Sequence, residues 1–451
     1  MMKPNILFLV IDSLRSDKCY GNKKTSITPH IDNLRKSGVY FEQAISSVAS
    51  TGIAMSSIFT GLFPSNMGMS GSNFTVLDSN IPNFIKFFKE NGYSVFATAP
   101  EIASDFGLIC DFENPNMGYD NYFSLFDGLG DQILTKLSSK DFQEPWFFYI
   151  HLNDLHYPIK VQENFNHEKY GLSNYEKQVS AIDDWIGKIL KKIDLENTLV
   201  ILTSDHGEYI PIINNGKKII NLESSVTEAN LWKLGNKVPE NLYPVKKKLS
   251  NFLRNTREKI KSSKIDDAEL TIYEKRTLMG SRMGTGHHSF DDLLRIPLLF
   301  SGFNITDNKI ISQQVRHVDI FPTVLELISL ELKNVIDGKS LLPLILGKDY
   351  AELPTIIENP PNVKEEFTKS IGVRTSNYKF IRDIENLKII YELYNLKNDP
   401  LEEKNIIYQQ PDIVKEMEEI LLRIRHTSNS DNVDDEKDKI VRENLRKLGY
   451  L

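Results

Sequence analysis

The chain has 451 residues, 40% hydrophobic and 25% charged, the make-up of an ordinary globular protein long enough to bury a large core. A net charge of −7 and an isoelectric point near 5.8 argue against a dedicated nucleic-acid binder. Two cysteines, Cys19 and Cys110, exclude a disulfide framework or a cysteine-based zinc site, and no apolar run reaches the roughly 18 residues of a membrane span.

The chain opens with the apolar run NILFLVID (5–12) behind Lys3. Asp12 and Arg15 cut it short and no small-residue cleavage site follows, so it reads as a strand rather than a secretion signal, and a cytoplasmic protein is expected. A helix is expected at HIDNLRKSG (30–38), stopped by Gly38. An amphipathic helix at 80–92 precedes a strand at 93–99. Strand WFFYIHL (146–152), helix 174–194 and strand TLVILTSD (198–205) continue the alternation, followed by strand IPLLFSG (296–302) and helix 319–330. This βαβα rhythm predicts an α/β fold built on a doubly wound, mostly parallel sheet.

Two regions break the rhythm. Residues 209–285 carry fifteen Lys/Arg against eight Asp/Glu, a net of +7, and read mostly as helix. They form an expected basic insertion, a lid or docking arm within a catalytic domain spanning 1–344. From 345 to 451, short strands (SIGVRTSNYKFIRDI and KIIYELYNL) and charged helices (411–425 and 434–448) predict a smaller C-terminal α+β subdomain.

The strands 5–12 and 198–205 end in Asp12 and in Asp205-His206-Gly207-Glu208. Two buried strands that each deliver an acid to the carboxyl edge of a parallel sheet require a cation between them, and a divalent metal supplies it. Between them lies SVASTGIAMSSIFTGLFPSN (47–66), a helix with Ser50 or Thr51 as N-cap and Gly61 and Pro64 as its stop. A hydroxyl there sits beside unpaired backbone N–H groups that bind an oxyanion, and a neighbouring metal makes it a nucleophile at neutral pH. The plain alternative is an N-cap without chemistry. Beyond strand 146–152, Asp154 and His156 lie near its end, and His287 and His288 lie in a glycine-flanked loop. His287, directly after Gly286, is favoured over His288. His151 belongs to the same strand-end set but lies inside the apolar run, so of these histidines it is the one closest to a core reading; His30 and His317 precede helices and read as structural.

Taken together these segments resemble the sulfatase branch of the alkaline phosphatase superfamily. The matching pieces are PNILFLVIDSLRSD, TPHIDNLRKSGVYFEQA, TGIAMSSIFTGLFP, HLNDLHYP, ILTSDHGE, HHSFDDLLRIPLLF, VDIFPTVLELI with DGKSLLPLI, and YKFIRD with ELYNLKNDPLEEKN, in family order over about 3–406. The resemblance implies hydrolysis or transfer at a sulfate or phosphate ester through a covalent intermediate. It also implies Asp12, Asp205 and His206 as metal ligands, Thr51 at the nucleophile position, and His156 and His287 as proton donors or second-metal ligands. Asp154 joins that set, and Gly52 and His288 are expected to contact substrate. One or two divalent ions are implied, with manganese or zinc suited better than calcium by the mixed donors.

The departures from the family pattern are specific. Formylglycine sulfatases need Cys or Ser at the nucleophile, Pro or Ala two residues on and Arg four residues on; here Thr51, Ile53 and Met55 stand there. Ser13 replaces the usual second acid, and FATAPEIASDFGL lacks the expected Lys and His. The set looks more like the superfamily's phosphodiesterases and phosphotransferases, which use an unmodified threonine. The leading reading is therefore a metal-dependent hydrolase or transferase of phosphate or sulfate esters, acting on a glycan, lipid headgroup or small molecule. Its rivals are a sulfatase without formylglycine and a silent anion-binding member.

Overall fold

The computed structural model describes residues 3–425 except 70–75, 79, 115–117, 121–122, 141, 158, 215, 217–218, 224–258, 260, 264, 266–268, 281–288, 306, 361–369, 385 and 387–389. Its strands, in chain order, are β1 (Asn5–Ile11), β2 (Gly38–Ile45), β3 (Ser94–Pro100), β4 (Gly118–Tyr119), β5 (Trp146–Leu152), β6 (Thr198–Thr203) and β7 (Ile212–Asn214). There follow β8 (Ile219–Asn221), β9 (Arg295–Gly302), β10 (Lys309–Arg316), β11 (Thr355–Glu358), β12 (Ser370–Arg374), β13 (Tyr378–Asp383) and β14 (Ile390–Asn395).

Eight strands form the main sheet in the order β10-β2-β9-β6-β1-β5-β3-β4. Every residue of β1 is buried, and alternate residues enter different cores: Ile6, Phe8 and Val10 one, Leu7, Leu9 and Ile11 the other. That two-sided burial explains why the run is continuously apolar rather than alternating. Phe59, Phe84 and Phe321, from three helices, fill the first core; Tyr175, Ile182 and Ile186 of the Asn174–Leu190 helix fill the second. A Ser173/Glu176 capping box starts that helix.

The pairings β1–β5, β1–β6, β3–β5, β3–β4 and β2–β10 are parallel, as the βαβ rhythm predicts. Strand β9 is the exception in the mostly parallel sheet, running antiparallel to both β6 and β2. A parallel strand needs a crossover back to the starting edge. Here the chain leaves β6 at the carboxyl edge and enters β9 from the Asp291–Leu294 helix at that same edge, so it returns downward. In the main and C-terminal sheets, strands β2, β4, β10 and β11 are additions to the elements expected from sequence periodicity.

The C-terminal part holds the antiparallel sheet β11-β12-β13-β14, as its short strands suggested. Its core (Ile356, Val373, Phe380, Leu393) packs with Met417 and Leu421 of the Pro411–Arg425 helix and with Phe63 and Val318 of the larger part. The expected helix at 434–448 lies outside the described residues.

The basic insertion departs from the expected helix at its start. Residues Ile212–Asn214 and Ile219–Asn221 pair as the hairpin β7–β8, with Gly216 at φ +78°. Two Ile-Ile pairs, β-branched and set either side of Gly216, favour strands over helix. Ile213, Ile220 and Leu222 share a small core with Ile265 and Leu278, the latter on the Ile272–Met279 helix. No helix among the described residues is long and apolar enough to cross a membrane.

Candidate metal centre and active site

Three neighbouring strands of the main sheet, β6, β1 and β5, build the site at their carboxyl ends. In register, Val10 of β1 lies between His151 of β5 and Thr203 of β6, and the Asp12 N–H donates to the Leu152 carbonyl at 2.9 Å. Ser13 then turns the chain at φ +63°, a left-handed conformation that is costly for serine. It is held there from two sides. The Tyr175 hydroxyl donates to the Ser13 carbonyl at 2.6 Å and accepts the Arg15 N–H at 2.9 Å, while the Ser13 N–H donates to Asp205 Oδ1 at 3.1 Å.

Asp12, Asp205 and His206 are all buried and adjacent. His206 Nδ1 lies 2.9 Å from the Gly207 carbonyl, which only accepts, so Nδ1 donates there and Nε2 faces the cluster. Nε2 lies 3.3 Å from Asp205 Oδ2 and 3.3 Å from Thr51 Oγ1. Thr51 Oγ1 donates to Asp12 Oδ2 at 3.2 Å. Burial pushes the Asp12 carboxyl up, but the facing imidazoles of His151, His206 and His156 outweigh it and hold the group well below the usual carboxylate range. Asp12 is therefore an anion in the folded protein.

Ser50 is the N-cap by backbone geometry, without a side-chain cap, and Thr51 is the first residue of the Thr51–Thr60 helix. Nothing on Ser50 competes for the helix N-terminus, and the Thr51 hydroxyl faces the acids. Every other residue of the helix is buried, so its axis is fixed. Gly52 is required by space, since a Cβ there would lie 2.3 Å from the Phe106 ring. The site thus gathers Asp12, Thr51, Gly52, Asp205 and His206, all expected from the sequence. His156 lies within electrostatic reach of Asp12, and its Nδ1 is 3.0 Å from the Tyr157 carbonyl.

His151, the strand-end histidine closest to a core reading, belongs to the cluster instead. One ligand atom each from Asp12, His151 and Asp205 lie within 4.8 Å of one another. His151 Nε2 and Asp205 Oδ2 are buried without a hydrogen-bond partner. Buried orphaned donors and acceptors are rare, and two beside a second carboxylate fit a divalent cation. The only signal in the sequence is that His151 stands two positions past the middle of a strand adjacent to the one ending in Asp12.

Asp154, expected beside the metal, is absent from that cluster. Its carboxylate accepts the Leu125 N–H at 3.2 Å, because the chain turns away immediately after β5. Burial raises its pKa from 3.8 to about 7, the bonds from Leu125 and Ser124 offsetting only part of the shift. A raised carboxyl binds its proton in the folded state before the unfolded one does, so its contribution to stability is lost as pH rises from about 4 to about 7. Asp154→Asn removes that loss. The melting temperature of the variant relative to wild type is expected to climb across that window and level off above it; a flat difference would show that the group titrates normally. His30 packs against Gly187, and His317, its pKa lowered to about 3 by burial, contacts Ser46 Oγ at 3.0 Å; both are structural as expected. His287 and His288 lie outside the described residues.

At the carboxyl edge of the α/β sheet, a buried acid–imidazole cluster that could hold a metal ion stands beside a helix-terminal hydroxyl. Residues 4–330 match the sulfatase family and 286–427 match a second family, N-sulphoglucosamine sulphohydrolase, C-terminal. The chain belongs to the sulfatase family of the alkaline phosphatase-like superfamily. It is 22% identical to the N-acetylgalactosamine-6-O-sulfatase of Bacteroides thetaiotaomicron over 94% of this chain and 93% of that protein. It is 21% identical to the N-acetylglucosamine-6-O-sulfatase of the same organism, over 99% and 90%. In fold it is similar to the phosphonate monoester hydrolase of Agrobacterium radiobacter, with a TM-score of 0.66 at 15% identity, covering 94% and 96% of the two chains. These likenesses support an ester hydrolase of the sulfate or phosphate kind.

Proposed function

We propose that the protein is a metal-dependent hydrolase of phosphate or phosphonate esters on a glycan or similar polar scaffold, with unmodified Thr51 as nucleophile. The observation that carries this reading is the Thr51 hydroxyl at the first turn of a buried helix, 3.2 Å from Asp12 Oδ2 and 3.3 Å from His206 Nε2. Asp12, Asp205 and His206 would hold a divalent cation, which when bound lowers the pKa of a hydroxyl and offsets the charge of the ester. Thr51 Oγ1, oriented by Asp12 Oδ2, gives its proton to solvent and attacks phosphorus. The Gly52 N–H and the helix dipole hold a nonbridging oxygen. His156 Nε2, when protonated, gives its proton to the departing alkoxide. Water then cleaves the phosphothreonine and restores the hydroxyl. The +7 balance of residues 209–285 steers anions toward this edge.

A second reading, sulfate-ester hydrolysis, is favoured by the sequence relatives, two of which are sugar 6-O-sulfatases. Metal-reconstituted protein assayed on chromogenic phosphodiester, phosphonate monoester and sulfate ester separates the two. Faster turnover of the phosphorus esters is expected. Turnover confined to the sulfate ester would overturn the phosphate reading, and none on any ester would leave an anion-binding role.

A further inference from the structure

We propose that His151 is a direct nitrogen ligand of the bound ion, so that the centre offers two imidazoles and selects a transition metal, zinc ahead of manganese, over calcium. This rests on the metal-centre reading of the same site. The His151 ring is fully buried and its Nδ1 lies 2.6 Å from the Tyr149 hydroxyl, which fixes the ring plane. Its Nε2 has no hydrogen-bond partner and stands 3.5 Å from Asp12 Oδ2, too far for an N–H···O bond.

The spacings around the cluster follow one pattern. His151 Nε2 to Asp12 Oδ2 is 3.5 Å, Asp12 Oδ2 to Thr51 Oγ1 is 3.2 Å, Thr51 Oγ1 to His206 Nε2 is 3.3 Å, and His206 Nε2 to Asp205 Oδ2 is 3.3 Å. Charge-assisted hydrogen bonds run shorter, at about 2.7–2.9 Å. Donors that share one ion through bonds of about 2.0–2.2 Å, at angles from about 90° to 110°, stand roughly 2.8–3.6 Å apart. All four spacings fall in that range.

Each carboxylate has one oxygen already engaged. Asp12 Oδ1 accepts from Ser13 Oγ at 2.6 Å, and Asp205 Oδ1 accepts the Ser13 and His206 N–H groups at 3.1 and 2.8 Å. Only the two Oδ2 atoms turn to the cluster, so both acids bind through one oxygen. Calcium takes six to eight oxygens at about 2.3–2.6 Å. Two single carboxylate oxygens, a hydroxyl and two imidazoles make a poor calcium site and a good transition-metal site.

Chelator-treated protein reloaded with manganese reports nitrogen ligands directly by pulsed electron paramagnetic resonance. Wild type is expected to show two imidazole couplings and His151→Gln one, with zinc affinity by calorimetry lowered more than about 100-fold, beyond the 10–100-fold typical of an outer-shell partner. Two couplings retained in His151→Gln, a smaller loss of zinc affinity, or wild-type preference for calcium would overturn the assignment. Should His151→Gln fail to fold, Tyr149→Phe decides: an altered coupling with weaker zinc binding supports ligation, and no change in either refutes it. Asp12→Asn and Asp205→Asn separate the two levels of the argument. If they abolish metal binding while His151→Gln keeps both couplings, only His151 is misassigned; if they leave metal binding intact, the metal centre itself is wrong.

Discussion

Thr51→Ala is expected to lower turnover by about 10⁴-fold or more, the scale on which loss of a covalent nucleophile is felt. The residue is only partly buried and its side chain is small, so the fold should tolerate the change. Metal binding should weaken but persist, because Asp12, Asp205 and His206 remain. Thr51→Ser restores the hydroxyl and should recover much of the rate. Peptide mass spectrometry of wild type should show unmodified threonine: formylglycine arises by oxidising a primary carbon, and the secondary Cβ of threonine would give a ketone. Wild-type rates in Thr51→Ala would move the nucleophile elsewhere, with Ser50 the first alternative.

The largest stability effect is expected at Asp291, between the main sheet and the C-terminal sheet. Its carboxylate takes Arg374 Nη2 at 2.7 Å and Lys379 Nζ at 2.5 Å, and Lys379 is fully buried. Lys379 also pairs with Glu402 Oε1 at 2.5 Å, and the Asp291 N–H donates to Glu402 Oε2 at 2.8 Å. Burial opposes ionisation of Asp291, yet Arg374 and Lys379 hold its carboxyl far below the usual range. Asp291→Ala leaves two buried cations short of an anion and should cost about 3–5 kcal/mol. A carboxyl depressed in the folded state gives stability that is complete above its unfolded pKa and lost as pH falls below about 4. The deficit of the variant in urea unfolding should accordingly be full at pH 7 and shrink on acidification. Adding Lys379→Met should return part of it. A loss under 1 kcal/mol at pH 7 would show that water reaches the pair.

The strands β1, β5 and β6 were readable because burial on both faces writes a continuous apolar run into the chain. Asp12, Asp205 and His206 were readable because ionisable groups at the end of such a run demand a partner. The Thr51 helix was readable from its apolar spacing and its Gly61 stop. Short-range chemistry of that kind is carried by neighbours in the chain. His151 was only half legible: it stands at a strand mouth, but inside WFFYIHL it looks like core until the β1–β5 register sets it beside Asp12. Asp154 misled for the opposite reason: two residues past β5, it turns to the Leu125 N–H instead of the cluster. The direction of β9 depended on which edge the chain occupied after its insertion, a property of the path and not of any window of residues. The residue types alone determined that this protein carries an acid–imidazole–hydroxyl site on a doubly wound sheet. Which imidazoles face which acids was decided only by tertiary structure, because ligand distances are set by strand register and loop direction, and neither is encoded in local periodicity.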